Sequence, residues 1–149
     1  MTSGVIDPAA APRHAVPMTA YAMANLSPKP VLDPEVLDYM EGIQATLDPF
    51  GGRFLVHGAP RREVLEGEWP GAVVVIAFPS YDEARAWYDS EPYQALLPLR
   101  TRHMAGDVLL VDGTPEGYAP AATAAALRAA YSAGATPTGH ETPVPPMPQ

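Results

Sequence analysis

The segment Ala72–Phe78, Ala-Val-Val-Val-Ile-Ala-Phe, contains no polar residue. A short apolar run rich in β-branched side chains reads as a strand. Side chains alternate between the two faces of a strand. A strand with no polar face therefore requires cover on both sides of its sheet. Helices of the same chain can supply one cover. The sequence predicts that a second copy of the protein supplies the other.

The flanking segments fit one α+β pattern. Thr19–Leu26 reads as a first strand. Asp33 then offers an N-cap, and Pro34 stands at the first helical position, where its missing amide costs nothing. Val36, Met40, Ile43 and Leu47, with Leu37 beside them, recur at helical spacing and predict a helix ending near Asp48-Pro49. Gly51-Gly52 breaks the chain before a second strand at Arg53–His57, and Glu63–Leu65 extends a hairpin or lines a loop. After the apolar strand, Ser80-Tyr81-Asp82-Glu83 has the spacing of a capping box. It opens a helix running to about Asp89, with Tyr81, Ala84, Trp87 and Tyr88 along one side. Glu91–Leu97 is a further short helical piece, where Tyr93 serves as an anchor. Asp107–Val111 is the last strand, closed by a turn at Asp112-Gly113. The order β-α-β-β-α-β is that of a ferredoxin-like protomer. Two helices cover only one face of its sheet, and a C2 pair of sheets would bury the other.

Eleven of the twelve aromatic residues fall within residues 18–118, which places the core there. Residues 1–17, rich in Ala and Pro, read as a disordered leader. Residues 119–149 read as an Ala/Pro-rich tail with a short helix over 121–133, in which only Leu127 and Tyr131 could bury much. The 149 residues amount to about one domain. The formal net charge of −8 argues against a broad contact with nucleic acid or anionic lipid. No cysteine is present, so disulfides and thiolate metal sites are excluded. Residues 1–17 lack the basic start and apolar stretch of an export signal, and no apolar run approaches the roughly 20 residues that span a bilayer. These features predict a cytoplasmic protein with no membrane contact. One lysine beside eight arginines suggests a GC-rich bacterial origin.

Taken together, Tyr21, Phe50-Gly51-Gly52-Arg53, Gly58, Glu63 through Trp69, Ala84 through Tyr93, Leu97 and Arg100 resemble the DUF1330 family, a branch of the dimeric α+β barrel superfamily. The resemblance covers about residues 20–114. It implies a ferredoxin-like protomer and a barrel-forming homodimer. The family has no generally established reaction. The wider superfamily includes monooxygenases of antibiotic biosynthesis, haem-degrading enzymes and muconolactone isomerases, but a shared fold does not transfer their activities.

Several polar residues are candidates for a site. Arg53 and Arg100 present planar forks of donors suited to an anionic oxygen. Taken singly, each reads first as a partner in an internal ion pair, for example with Glu66. Glu66, at the mouth of an apolar barrel, is a candidate proton-transfer group, or a carboxylate that orders its loop through backbone amides. His57 ends the second strand and His103 follows Arg100 and Arg102; either could assist proton transfer, or be a solvated side chain. Tyr21 and Trp69 are candidates to line a cavity for a flat ligand, whereas Trp87 and Tyr88 read as core. No metal is predicted, because no close histidine spacing or His-carboxylate cluster is visible. No cofactor is predicted either, since GxGxxG, P-loop, GxSxG and HExxH patterns are absent. Ser80 is already engaged as a cap.

The sequence therefore predicts a homodimer that binds a small acidic or aromatic metabolite, with any chemistry being cofactor-independent proton transfer, cyclisation or oxygenation. The other reading is a non-catalytic interaction or metabolite-binding module whose Pro-rich tails contact a partner.

Overall fold

The computed structural model describes residues 18–134. The expected leader over 1–17 and the end of the tail lie outside the described residues. Two compact units divide between Thr114 and Pro115.

The first unit is built as β1 (Ala20–Ser27), α1 (Pro34–Leu47), β2 (Arg53–His57), β3 (Ala72–Phe78), α2 (Tyr81–Asp89), α3 (Glu91–Leu96), α4 (Pro98–Thr101) and β4 (Ala105–Asp112). Its sheet has the order β2-β3-β1-β4. Every neighbouring pair is antiparallel. This is the ferredoxin-like arrangement, in which two β-α-β units interleave so that β1 and β3 lie at the centre.

The helix boundaries follow from local chemistry. The Asp33 carboxylate accepts a hydrogen bond from the Glu35 amide at 2.9 Å, and Pro34 opens α1. The Ser80 hydroxyl accepts from the Glu83 amide at 3.2 Å, which caps α2. Ser90 links α2 to α3: its hydroxyl donates to the Trp87 carbonyl at 2.7 Å and accepts from the Tyr93 amide at 3.4 Å. After α1 a single 3-10 turn, Asp48–Phe50, ends at Gly51 with φ +72°. That left-handed conformation strains any residue with a Cβ, and a Cβ here would also meet Pro79 at 2.8 Å.

One face of the sheet packs on the helices. Ala22, Val74, Ile76 and Phe78 from the strands meet Tyr39, Ile43 and Leu47 of α1, Ala84 and Trp87 of α2, and Tyr93 of α3. The buried stripe of α1 is Val36, Tyr39, Ile43, Thr46 and Leu47. It includes two residues with hydroxyls that apolar spacing does not count, while Leu37 and Met40 are exposed. The hydroxyls earn their burial through partners. Thr46 donates to the Ile43 carbonyl at 2.7 Å and accepts from the Trp87 indole N–H at 3.0 Å. Tyr39 and Tyr93 share a hydrogen bond of 2.7 Å.

Gly52 fits this core tightly. A Cβ there would lie 2.7 Å from both Leu47 and Phe78, the two largest fully buried side chains. Gly52→Ala should therefore destabilise the fold by about 1–3 kcal/mol through overpacking. The check is a drop in the urea midpoint; an unchanged midpoint would show that the site relaxes freely.

The opposite face carries the alternate residues. In one row Arg53, Ala77, Tyr21 and Val111 lie side by side; in the next come Val56, Val75, Met23 and Leu109. Leu55, Leu109 and Val111 are exposed. The helix residues of the core, from α1, α2 and α3, pack on the other face. A bulge at Leu55 shifts the register between Phe54 and Val56. It turns Phe54 and His57 to the helix side together, where their rings stack at 5.0 Å.

The second unit contains α5 (Pro120–Ser132). Tyr118 and Thr123 share a hydroxyl bond of 2.7 Å at its start. Tyr131 is exposed, and Leu127 is half-buried.

Candidate functional site

Behind α1, against the helix-covered face of the sheet, lies a cavity of about 50 Å³. Its walls are mostly apolar, with Ala22, Ile43, Phe54, Val74 and Ile76 prominent. Four polar side chains also line it: Tyr39, Tyr93, Arg100 and His57. Each arrives for a traceable reason. Tyr39 belongs to the buried stripe of α1. Ser90 and Pro92 start α3 so that Tyr93 enters the core at 2% exposure. The short α4 then turns Arg100 inward, and the β2 bulge turns His57 to the same side.

Arg100 is the unusual member, because it is a charged residue with only 5% exposure. Burying an ion costs several kcal/mol unless it is paired. Among the described residues no carboxylate pairs with Arg100; its polar side-chain neighbours are the hydroxyls of Tyr39 and Tyr93. Its guanidinium carbon instead lies 5.4 Å from the centre of the Tyr39 ring, in a cation–π contact. Burial, the largest influence, works against the charge. The hydroxyl of Tyr39, then that of Tyr93, outweighs it, and Arg100 titrates above its ordinary range. Burial pushes the Tyr93 hydroxyl strongly upward, Tyr39 adds to that, and Arg100 opposes it. At neutral pH the cavity thus holds a cation beside the protonated Tyr93 phenol.

The bonded phenols leave a donor over. When one hydroxyl donates to the other, the accepting oxygen still carries its own hydrogen. The cavity therefore offers guanidinium N–H groups and one phenolic O–H, a donor set suited to an acceptor-only group such as a carboxylate.

The remaining candidates sit elsewhere. Tyr21 and Arg53 are on the opposite face of the sheet, in one row. Glu66 and Trp69 line an open groove with Met23 and Val73, beside the connection from β2 to β3. Arg62, which spacing and motif do not reveal, fastens that connection: its guanidinium donates to the carbonyls of Gly71 and Trp69, each at 2.5 Å. Glu63–Leu65 lies in this loop and adds no strand. Neither Arg53 nor Arg100 pairs with Glu66 among the described residues. The structure thus unites two of the seven candidate residues, Arg100 and His57, and adds Tyr39 and Tyr93. The signal for Tyr39 was its position, three residues after Val36 and four before Ile43.

His103 belongs to a surface cluster at the start of α1. Its Nε2 lies 2.8 Å from Glu35 Oε1 and 3.5 Å from Asp33 Oδ1. Arg102 donates to the same Glu35 oxygen at 2.6 Å. Asp33, Glu35 and His103 are close enough to hold a metal ion. Sequence spacing did not show this trio, because 68 positions separate Glu35 from His103. Arg102 already supplies the positive charge there, and the Asp33 oxygen is committed to the helix cap. His103, then Arg102, holds the Glu35 carboxyl below its usual 4.5. A carboxyl lowered in the folded state stabilises above its unfolded pKa, and that contribution fades as pH falls through the lower folded value. Glu35→Gln should therefore flatten the acid limb of stability between about pH 5 and about pH 3, the carboxylate range. Denaturation in urea at stepped pH tests this; an acid limb equal to that of the parent would remove the cluster from the account.

The sequence model of the domain of unknown function DUF1330 matches residues 19–114. This chain belongs to the DUF1330 family. The match covers every strand and helix of the first unit, cavity included. No curated protein matches the chain. Several solved structures are similar to it. A protein of unknown function from Rhodopseudomonas palustris is 10% identical, over 66% of this chain and 84% of its own, with a TM-score of 0.49. A dimeric ferredoxin-like protein of unknown function from Thermobifida fusca is 16% identical, over 65% and 92%, with a TM-score of 0.40. SnoaB, a cofactor-independent oxygenase from Streptomyces nogalater, is 14% identical, over 68% and 97%, with a TM-score of 0.42. Such likenesses assign no activity to this DUF1330 protein.

Proposed function

We propose that this DUF1330 protein is a homodimeric small-molecule-binding protein that takes a carboxylate-bearing metabolite into the cavity behind α1. One observation carries the reading: a guanidinium at 5% exposure that lines a cavity and has no anionic partner among the described residues. An ion in that position is costly to the free protein. A bound carboxylate would supply the missing charge and accept from both the guanidinium and the spare phenolic hydrogen. Calorimetric titration of the full chain with propionate and with propionamide tests it. Propionate should bind saturably and propionamide should not, because the amide nitrogen would present donors to donors. Equal heats from the two, or none from either, would overturn the reading.

A second reading, proton transfer on the bound ligand, has a specific support in His57. Its imidazole lines the same cavity and can accept or donate a proton. It predicts that His57→Gln leaves carboxylate affinity within about threefold while removing turnover of any substrate found.

The dimer is the other half of the proposal. The face of the sheet away from the helices is apolar in its central row of Val56, Val75, Met23 and Leu109, and Leu109 is 54% exposed. A second copy of the same face offers a self-complementary cover. Leu109→Glu should convert a dimer into a folded monomer in sedimentation velocity, with unchanged circular dichroism. A parent protein that already sediments as a monomer at micromolar concentration would remove the dimer from the proposal.

A further inference from the structure

The cavity behind α1 leaves Tyr21, Arg53, Glu66 and Trp69 unused, and all four belong to the other face of the sheet. Arg53 and Tyr21 share the row at one end of that face, with only the small Ala77 between them. At the other end, beyond the row of Val75 and Met23, Val73 pairs with Asn25. There the connection from β2 to β3 stands over the face, because Glu66 and Trp69 line one groove with Met23 and Val73. We infer that two copies of the chain complete a shared site at each end of this face, in which Arg53 and Tyr21 of one copy meet Glu66 and Trp69 of the other. This inference rests on the dimer reading above and deepens it by fixing which way the two faces meet.

Three observations carry it. The first is the connection itself. Residues 58–71 contain no strand, yet Arg62 fastens them by donating to the carbonyls of Gly71 and Trp69. The chain bends at Glu66-Gly67, where Gly67 has φ +72°. On this pinned loop Leu65 is 81% exposed and Trp69 52%. Large apolar side chains held in water on an ordered loop suit a protein contact, because little ordering remains to be done on association. The groove runs into the row of Met23, so a copy that covers that row also reaches Trp69.

The second is charge. Among the residues that the four strands place on this face, Arg53 and Asp107 alone are charged. No carboxylate pairs with Arg53 among the described residues. A second copy laid over the face would bury this guanidinium, and a buried cation is costly without an anion. The groove carries two carboxylates, Glu63 and Glu66. Glu63 adjoins Arg62 in the chain, whereas Glu66 stands at the bend and is exposed.

The third is the geometry of a twofold axis. Sheets packed face to face lie about 10 Å apart. An axis parallel to the strands would set like ends together. The two loops would then compete for one gap, carboxylate against carboxylate, and Arg53 would lie over the apolar Val111. An axis across the strands exchanges the ends. Each loop then lies over the partner's Arg53 and Tyr21, and symmetry makes the contact twice.

The test is a charge swap read by sedimentation equilibrium of the full chain. Arg53→Glu and Glu66→Arg should each weaken the dimer at least about tenfold, because like charges then face each other at both ends. The variant carrying both changes should return to within about threefold of the parent. Both residues are exposed, and circular dichroism checks that each variant stays folded. Tryptophan emission gives a second readout. The chain has two tryptophans, and Trp87 is buried. Dilution of the parent through its dissociation range should therefore shift emission to the red by uncovering Trp69, and Trp69→Phe should abolish that shift. Single reversals that leave the affinity unchanged, a double variant that is not rescued, or an emission that ignores dilution would each keep the sheet-to-sheet dimer and remove the shared site. Rescue of Arg53→Glu by Asp107→Arg in place of Glu66→Arg would do the same, since it demands a different axis. A parent that is a monomer removes both.

Discussion

Trp87→Ala should cost about 3–5 kcal/mol, the usual effect of deleting a buried tryptophan, and leave the domain at the edge of unfolding. The indole is 2% exposed. Its ring centre lies 4.1 Å from that of Tyr93, 5.4 Å from that of Phe78 and 6.0 Å from that of Tyr88. Truncation removes these contacts and opens a cavity between α2, α3 and β3. It also takes away the N–H that the Thr46 hydroxyl accepts at 3.0 Å. Domains of this size are stable by only about 5–15 kcal/mol, so the loss is a large share of the whole. Urea denaturation followed by circular dichroism measures it. Trp87→Phe keeps most of the aromatic packing and should recover more than half of the loss. A cost below about 1 kcal/mol for the alanine variant would mean that the core is not organised around the indole, since changes that small belong to sites that can repack.

Arg100→Met should separate stability from binding. Methionine matches much of the arginine side chain in volume and carries no charge. Removing a buried cation that has no carboxylate partner relieves a desolvation cost. The loss of its stack on Tyr39 opposes that gain by roughly 0.5–2 kcal/mol. The two nearly cancel, and the variant should melt at or above the temperature of the parent. Carboxylate binding should weaken by about 2–5 kcal/mol, the usual loss when one member of a buried charge pair is deleted. This pattern, stability kept and affinity lost, marks a residue held in place for a ligand. A structural arginine would show the reverse.

The architecture was legible because its signals are local and repeat along the chain. The apolar β3, the Asp33-Pro34 and Ser80…Glu83 starts and the Gly51-Gly52 break together dictate β-α-β-β-α-β, and the four strands with α1, α2 and α3 lie within about two residues of their expected bounds, whereas α4 was not expected. The first helix shows where pattern reading fails. Counting apolar residues favoured Leu37 and Met40, yet Tyr39 and Thr46 are the buried ones. Their hydroxyls find partners 54 and 41 positions away, on Tyr93 and Trp87, and no local pattern encodes a partner so distant.

The site was legible in its residue types and not in its grouping. Arg100 and His57 were visible as candidates, but only the sheet register and the β2 bulge bring them to one cavity. Glu66 and Trp69 share a conspicuous motif, and the fold sends that motif to a loop on a different surface. His103 is drawn to Glu35 across 68 positions, at the opposite end of the domain sequence. Sequence separation says little about distance once a sheet of order β2-β3-β1-β4 is formed.

The most direct measurement is the electron density of the cavity in crystals of the full-length protein soaked with propionate. The account predicts a planar carboxylate facing the Arg100 guanidinium, with one oxygen within hydrogen-bonding distance of the Tyr39 or Tyr93 hydroxyl and the ethyl group against Ile43 and Val74. A cavity that stays empty at saturating propionate, or an Arg100 side chain turned out to a surface carboxylate, would contradict it.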